Sequence, residues 1–133
     1  MSNKQVAVFY GDDASPEVMQ PTVDLLRAMN LGIDFIEPFV GQAAKEATGT
    51  LFPDAAKAQI DAADATFFGS TSGDSTPVLF YLRWGKQTFA NVRPCTYMPG
   101  FNSPMANPTG IDFAIIRENL EDLYLGLEGD TQD

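Results

Sequence analysis

Short apolar segments rich in β-branched and aromatic residues alternate along this chain with segments of helical spacing, and this alternation most limits the possible fold. The first pair is QVAVFY (5–10), which Gly11 closes, and DDASPEVMQPTVDLLRAMN (12–30), whose apolar residues recur at helical intervals. Right-handed crossovers place helices against the faces of a sheet. The alternation therefore predicts an α/β fold with a mostly parallel sheet flanked by helices.

The later segments continue the same order. Ser15 is the expected N-cap of the first helix, with Pro16 at its first position. Further strands are predicted at 33–40, 65–69, 88–92 and 111–116, and further helices at 53–64 and 77–87. The stretch PCTYMPGFNSPMANPTG (94–110) contains four prolines and two glycines, so it is expected to be irregular.

Length and composition limit the class of protein. The 133 residues predict a single domain, 1–133, with one core. Eighteen acidic against eight basic residues give a formal charge of -10, which argues against a nucleic-acid partner. No apolar run is long enough to cross a membrane, and no secretory leader is recognisable, so a cytoplasmic location is expected. One cysteine and no histidine exclude an internal disulfide and a His/Cys zinc site.

The turn GDDASPE (11–17) stands where a dinucleotide-binding turn would lie, directly after the first predicted strand. It lacks the glycine spacing of such a turn and carries two aspartates where a pyrophosphate would approach. The favoured interpretation is a plain strand-to-helix turn. A divalent cation held by Asp12, Asp13 or Glu17 is the alternative.

Three of the four arginines, Arg83, Arg93 and Arg117, fall between the last predicted helix and the end of the last strand. Arg93 and Arg117 each directly follow a predicted strand, where ligands of α/β sheets collect. Guanidinium groups bind carboxylates through paired hydrogen bonds, so converging arginines would suit a substrate with two or three carboxyl groups. Asn119 joins this predicted site because it stands with Arg117 where the apolar strand stops. The alternative is that the arginines only neutralise surface acids.

Tyr124 follows Arg117 by seven residues in the segment LEDLYLGL. A buried phenol beside cations could give or take a proton, which makes Tyr124 the candidate catalytic residue. The alternative is a tyrosine that packs on an amphipathic segment.

Four segments read in order resemble the N-terminal part of the isocitrate and isopropylmalate dehydrogenase family. They are VAVFYGDDASPEV, TGTLFPDAAKAQIDAADATFFG, TFANVRP and IDFAIIRENLEDLYLGLEG. The RENxEDLY pattern is closer to the isocitrate branch. The resemblance implies the fold of the first half of the family's large domain, a carboxylate clamp made by Arg83, Arg93 and Arg117, and proton transfer by Tyr124.

Two segments depart from the family pattern. The first turn reads GDDASPE in place of GDGIGPE, and Pro77 and Leu79 stand where family members usually carry serine, asparagine or apolar selectivity residues. Family members are also more than twice as long. Their remaining part would supply the metal-binding aspartates, a lysine from the neighbouring subunit and most of the adenine and ribose pocket.

The expected function is therefore binding of a small di- or tricarboxylate, without autonomous NAD(P)-dependent activity. No cofactor is expected, and NAD(P) and Mg would bind only if a partner chain completed the site. Two alternatives remain: a component of a split or oligomeric oxidoreductase or decarboxylase acting on a 2-hydroxy acid, and a structural scaffold subunit. Whether the chain is an enzyme stays open. Uncovered strand edges predict a homo-oligomer or a partner protein that covers the exposed sheet edge.

Overall fold

A computed structural model of the chain describes residues 3–121. The chain divides into two compact units, Met1–Phe80 and Tyr81–Asp133, which are described separately below. A single domain over 1–133 stays a prediction.

The first unit contains a three-stranded parallel sheet in the order β2-β1-β3. Its elements in chain order are β1 (Lys4–Phe9), α1 (Ser15–Ala28), β2 (Ile33–Ile36), α2 (Gln42–Thr48), α3 (Asp54–Ala62), β3 (Ala65–Phe68) and α4 (Thr76–Phe80). The predicted α/β class with a parallel sheet and helices is confirmed.

The core of this unit forms around the central strand. Ala7, Val8 and Phe9 of β1 are all buried, as expected for a strand in the middle of a parallel sheet. Met19 and Val23 of α1 pack with Val8 in one cluster, and Val23 is completely buried. Full burial of one such side chain stabilises the fold by roughly 1.5–3 kcal/mol.

The ends of two elements differ from the prediction. Ser15 is the first helical residue and not the N-cap, which is Ala14 and makes no side-chain cap. The Ser15 hydroxyl instead accepts a hydrogen bond of 3.0 Å from the backbone N–H of Ser70, beyond the end of β3. β2 ends at Ile36, before Pro38, because proline cannot donate to a strand ladder.

The second unit begins with a π-helical turn, Tyr81–Gly85, and contains β4 (Ala90–Thr96) and β5 (Asp112–Glu118). The helix predicted at 77–87 is therefore α-helical only as far as Phe80. β4 and β5 pair antiparallel along seven residues and form a two-stranded ribbon, which the sequence did not predict. The strand prediction 88–92 was too short, since β4 continues through Pro94.

No helix within residues 3–121 combines the length and the apolar character needed to cross a bilayer.

Candidate functional site

The strand register of the ribbon decides how two of the predicted arginines are arranged. Both lie inside strands, Arg93 in β4 and Arg117 in β5, so the prediction that each directly follows a strand is wrong. Arg117 pairs with Asn91, and Arg93 pairs with Ile115. Side chains two residues apart on a strand share a face, as do directly paired residues. Arg93, Arg117 and Asn91 therefore lie on one face of the ribbon.

Asn91 connects this face to one of its arginines. The Nε of Arg93 donates a hydrogen bond of 3.3 Å to Oδ1 of Asn91. Arg93 is exposed and Arg117 is half-buried. Asn91 was absent from the predicted site, although its position in the NVRP segment, two residues before Arg93, would have placed it on the arginine face once β4 was extended.

Arg83 belongs to the π-helical turn, where its guanidinium lies 5.5 Å from the centre of the Trp84 ring. Its backbone carbonyl accepts a hydrogen bond of 3.0 Å from the N–H of Thr88. This bond connects the turn to the segment that leads into β4. The structure thus brings Arg93 and Arg117 onto a common face and places Arg83 in a neighbouring part of the same unit.

Asn119 directly follows β5 and is buried, with 9% of its surface exposed. Its backbone N–H donates to the carbonyl of Phe89 at 2.8 Å, which closes the end of the ribbon. Its side-chain Oδ1 is also buried and accepts no hydrogen bond from the described part of the chain. A buried amide oxygen of this kind favours a nearby donor, because leaving it unsatisfied costs about 1–3 kcal/mol.

The neighbouring Glu118 has a local structural role. Its carboxylate oxygens accept hydrogen bonds from the N–H groups of Leu120 at 2.7 Å and Glu121 at 2.9 Å. Hydrogen bonds from the backbone of Glu121 and Leu120 lower the pKa of Glu118. Tyr124, the predicted catalytic residue, lies outside the described residues.

A second polar cluster lies in the first unit, where Asp12 follows β1. Its Oδ2 accepts hydrogen bonds from the hydroxyls of Thr71 at 2.8 Å and Ser75 at 2.7 Å, and from the backbone N–H groups of Ser72 and Gly73 at 3.1 and 2.9 Å. The β1–α1 turn is thereby tied to the polar loop after β3.

Burial opposes ionisation of Asp12, but the hydrogen bonds outweigh it. Those from Ser75, Thr71, Gly73 and Ser72 favour the carboxylate and lower the pKa of Asp12 from 3.8 to about 2. The hydrogen-bond donors of the loop after β3 are therefore already occupied by the carboxylate of Asp12. A phosphate group does not fit the same donors while Asp12 remains there.

The cation alternative for this turn finds no donor set within residues 3–121, where no group of three or more acidic or cysteine side chains is placed to hold a metal ion. Asp13 bonds instead to the hydroxyl of Ser72. It does so from a left-handed backbone conformation, φ 52°, in the position where the family pattern has glycine.

Comparison with known proteins identifies the family to which the chain belongs. Residues 5–133 match the sequence profile of the isocitrate/isopropylmalate dehydrogenase family. The 3-isopropylmalate dehydrogenase of Methanothermobacter thermautotrophicus is 36% identical over 133 residues, which is 100% of this chain and 40% of that protein. The 3-isopropylmalate dehydrogenase of Mycobacterium avium is 34% identical over 132 residues, covering 94% of this chain and 39% of that protein.

Solved structures show the same relationship. The isocitrate dehydrogenase of Methylococcus capsulatus superposes with a TM-score of 0.80 and 27% identity, over 98% of this chain and 39% of that one. A β-decarboxylating dehydrogenase of Thermococcus kodakarensis superposes with a TM-score of 0.67 and 26% identity, over 89% of this chain and 34% of that one. The chain spans about 40% of the length of the curated relatives it matches. The predicted resemblance is confirmed, and the chain belongs to the isocitrate/isopropylmalate dehydrogenase family.

Proposed function

We propose that this chain binds a small di- or tricarboxylate on the face of the β4–β5 ribbon that carries Arg93 and Arg117. The observation that carries the proposal is the strand register, which puts both guanidinium groups on one face with Asn91 directly opposite Arg117. Two guanidinium groups in diagonal positions on neighbouring strands can each receive one carboxylate of the same ligand.

The energetics favour a ligand with more than one carboxylate. A hydrogen bond to a charged group contributes about 1.5–3 kcal/mol, and Arg93 is exposed to competing water. One carboxylate on one arginine would bind weakly, whereas two carboxylates on a single small molecule add their contributions with one loss of translational freedom. The hydrogen bond from Arg93 to Asn91 also limits the orientations of that guanidinium.

The remaining residues of the proposed site enter through the family resemblance. Arg83 would add a third guanidinium and Tyr124 would exchange a proton with the bound acid. Asn119 would contribute through its side-chain NH₂ group, which can donate to a carboxylate, whereas its Oδ1 can only accept. The names of the matched relatives, 3-isopropylmalate dehydrogenase and isocitrate dehydrogenase, point to the same chemical class of ligand.

The test is titration calorimetry with isocitrate, 3-isopropylmalate, citrate and tartrate, with and without Mg²⁺. We expect saturable heat with at least one of these acids, and loss of that heat in Arg93→Ala and Arg117→Ala. Arg117→Lys keeps the charge and removes the paired geometry, so it should bind more weakly than the unchanged chain.

Lys45→Gln is the matched control, because it removes one positive charge from α2, outside the ribbon. It should leave the heat unchanged. Equal loss of binding in Lys45→Gln and Arg93→Ala would mean that only net charge matters. Absence of heat with all four acids would leave the scaffold role.

A second candidate function is a component of an oxidoreductase or decarboxylase acting on a 2-hydroxy acid together with another chain. It is supported by the coverage of the curated relatives, of which the matched region forms about 40%. Titration with NAD and NADP, before and after addition of the carboxylate, tests it. Nicotinamide cofactor binding that depends on the carboxylate would favour this candidate over a pure binding module.

A further inference from the structure

A cavity of about 370 Å³ lies in the first unit, at the carboxyl ends of β1 and β2. Its size falls within the range of small-molecule sites. The aromatic residues Phe9, Tyr10 and Phe39 contribute to its lining, and so do the acidic residues Asp12, Glu37 and Asp74. Within residues 3–121, no lysine or arginine lines it. The cavity therefore combines apolar walls with charge of one sign.

The three acidic residues use mainly one oxygen each for their contacts within the protein. Glu37 accepts both of its hydrogen bonds on Oε1, from the Tyr10 hydroxyl at 2.8 Å and from Arg27 at 2.7 Å. Asp74 accepts from the side chain of Gln42 on Oδ1 at 3.3 Å. Asp12 receives its shorter contacts on Oδ2, and Oδ1 receives one of 3.3 Å from Ser75. The second oxygens remain for a ligand, as judged from the described part of the chain.

Two of these groups stay ionised across the neutral range. Hydrogen bonds outweigh burial at Asp12, and the hydrogen bond from Arg27 is the main cause that lowers the pKa of Glu37. Arg27 forms an ion pair of 2.7 Å with Glu37 and offsets one negative charge, so the three lining acids keep a net negative charge.

The spacing of the acids distinguishes between kinds of cation. A divalent metal ion needs several oxygens within about 2.0–2.6 Å of one point. No set of three acidic side chains in residues 3–121 converges in that way. The three acids line one cavity of about 370 Å³ together with aromatic residues, and aromatic rings attract an ammonium group that lies over their faces.

We propose that this cavity binds a small organic cation, namely a primary ammonium compound with a short apolar body. The ammonium donates hydrogen bonds to the second oxygens of Glu37 and Asp74, and the apolar body contacts Tyr10 and Phe39. This site lies in a different unit from the carboxylate site proposed above, so the two proposals stand or fall separately.

The test is protein-observed NMR titration of the 133-residue chain with phenethylammonium chloride. We expect saturable shifts at the amides of Val40, Gly41 and Asp74, and no shifts at Arg93 or Arg117. The neutral isostere 2-phenylethanol should bind more weakly, and 3-phenylpropionate should not bind in the cavity. Higher salt should weaken binding of the ammonium compound, because the charges are partly exposed.

Asp74→Asn is the main variant, since it keeps the shape of the side chain and an acceptor for Gln42. It should weaken binding about two- to five-fold, the range of a partly exposed ion pair. Glu46→Gln is the matched control on α2, an exposed acid that does not line the cavity, and it should leave the affinity unchanged. The proposal is overturned if no saturable shift occurs, if 2-phenylethanol binds equally well, or if Asp74→Asn and Glu46→Gln have the same effect.

Discussion

The sheet of the first unit and the ribbon of the second are both built from apolar strands, yet their side chains have opposite surroundings. Three consecutive residues of β1, Ala7 to Phe9, are buried, whereas no residue of β4 or β5 is. Val92 and Ile116 pair directly across the ribbon and are 60% and 64% exposed. The apolar residues of β1 form a stabilising core, whereas apolar residues of the β4–β5 ribbon such as Val92 and Ile116 are exposed.

The difference shows that strand composition alone does not make a core. A two-stranded ribbon is marginally stable in water unless another element packs on it. An exposed pair such as Val92 and Ile116 is consistent with the prediction of a homo-oligomer or a covering partner, which sedimentation can test. A monodisperse monomer at micromolar concentration would count against that prediction.

Among the substitutions that compare the two regions, the largest loss of stability is expected for Gly11→Ala in the first unit. An added Cβ would lie 2.2 Å from the carbonyl oxygen of Ser70, and Gly11 has φ 79°. Gly11→Ala should lower the free energy of unfolding by roughly 2–5 kcal/mol, through steric overlap and an unfavourable backbone conformation. Urea denaturation followed by circular dichroism measures the change. Gly100→Ala is the control, since it also has positive φ, 95°, but open space around it, and it should cost clearly less.

A matched pair of valine truncations compares the two regions directly. Val23→Ala should cost about 2–3 kcal/mol, because Val23 is fully buried and its loss leaves a cavity. Val92→Ala should change the free energy of unfolding by less than about 0.5 kcal/mol in a monomer. Denaturation at several protein concentrations provides the measurement. A cost for Val92→Ala that rises with concentration would show that the ribbon face is covered by another copy.

Asp12→Asn tests the link between the β1–α1 turn and the loop after β3. The pKa of Asp12 is lowered to about 2, so its contribution is fully present above about pH 4 and is lost as the pH falls through 2. At pH 6 the variant should lose about 1–2 kcal/mol, allowing for partial solvent exposure. The difference from the unchanged chain should shrink at pH 2.5. A difference independent of pH would show that the ionised form is not what stabilises the loop.

The smallest effect on stability is expected at Arg93, which is exposed and whose guanidinium hydrogen-bonds to Asn91 on the same strand. Arg93→Ala should change the free energy of unfolding by less than about 0.5 kcal/mol while removing carboxylate heat. Calorimetry and urea denaturation on the same sample separate the two effects. A large loss of stability would mean that Arg93 holds the ribbon together rather than a ligand.

The fold of the first unit could be predicted because its signals are local. The strand of Val8, the glycine at 11 and the helical spacing through Val23 each follow from neighbouring residues, and crossover handedness then supplies the parallel sheet. The cap at Ser15 was wrong because its hydroxyl bonds to Ser70, 55 residues away. Long-range competition of this kind is not visible in a local pattern.

The ribbon was harder to predict for two physical reasons. Pro94 suggested the end of a strand, although a proline is tolerated in a two-stranded ribbon where one edge of each strand is unpaired. The antiparallel register that brings Asn91 opposite Arg117 depends on the irregular stretch between the strands. The sequence identified the arginines as candidate carboxylate-binding residues. That Arg93 and Arg117 share a face follows only from the strand register.

The close approach of Gly11 and Gly69 also limits where the first unit can accommodate additional atoms. A methyl group on Gly69 would lie 2.4 Å from the carbonyl oxygen of Tyr10, and one on Gly11 would lie 2.2 Å from that of Ser70. The backbone at the Gly11 end of the 370 Å³ cavity is therefore tightly packed. Gly41, which also lines the cavity, has no atom within 4 Å of the position that a Cβ would take. A guest larger than the cavity therefore finds room beside Gly41, whereas the junction of β1 and β3 leaves none.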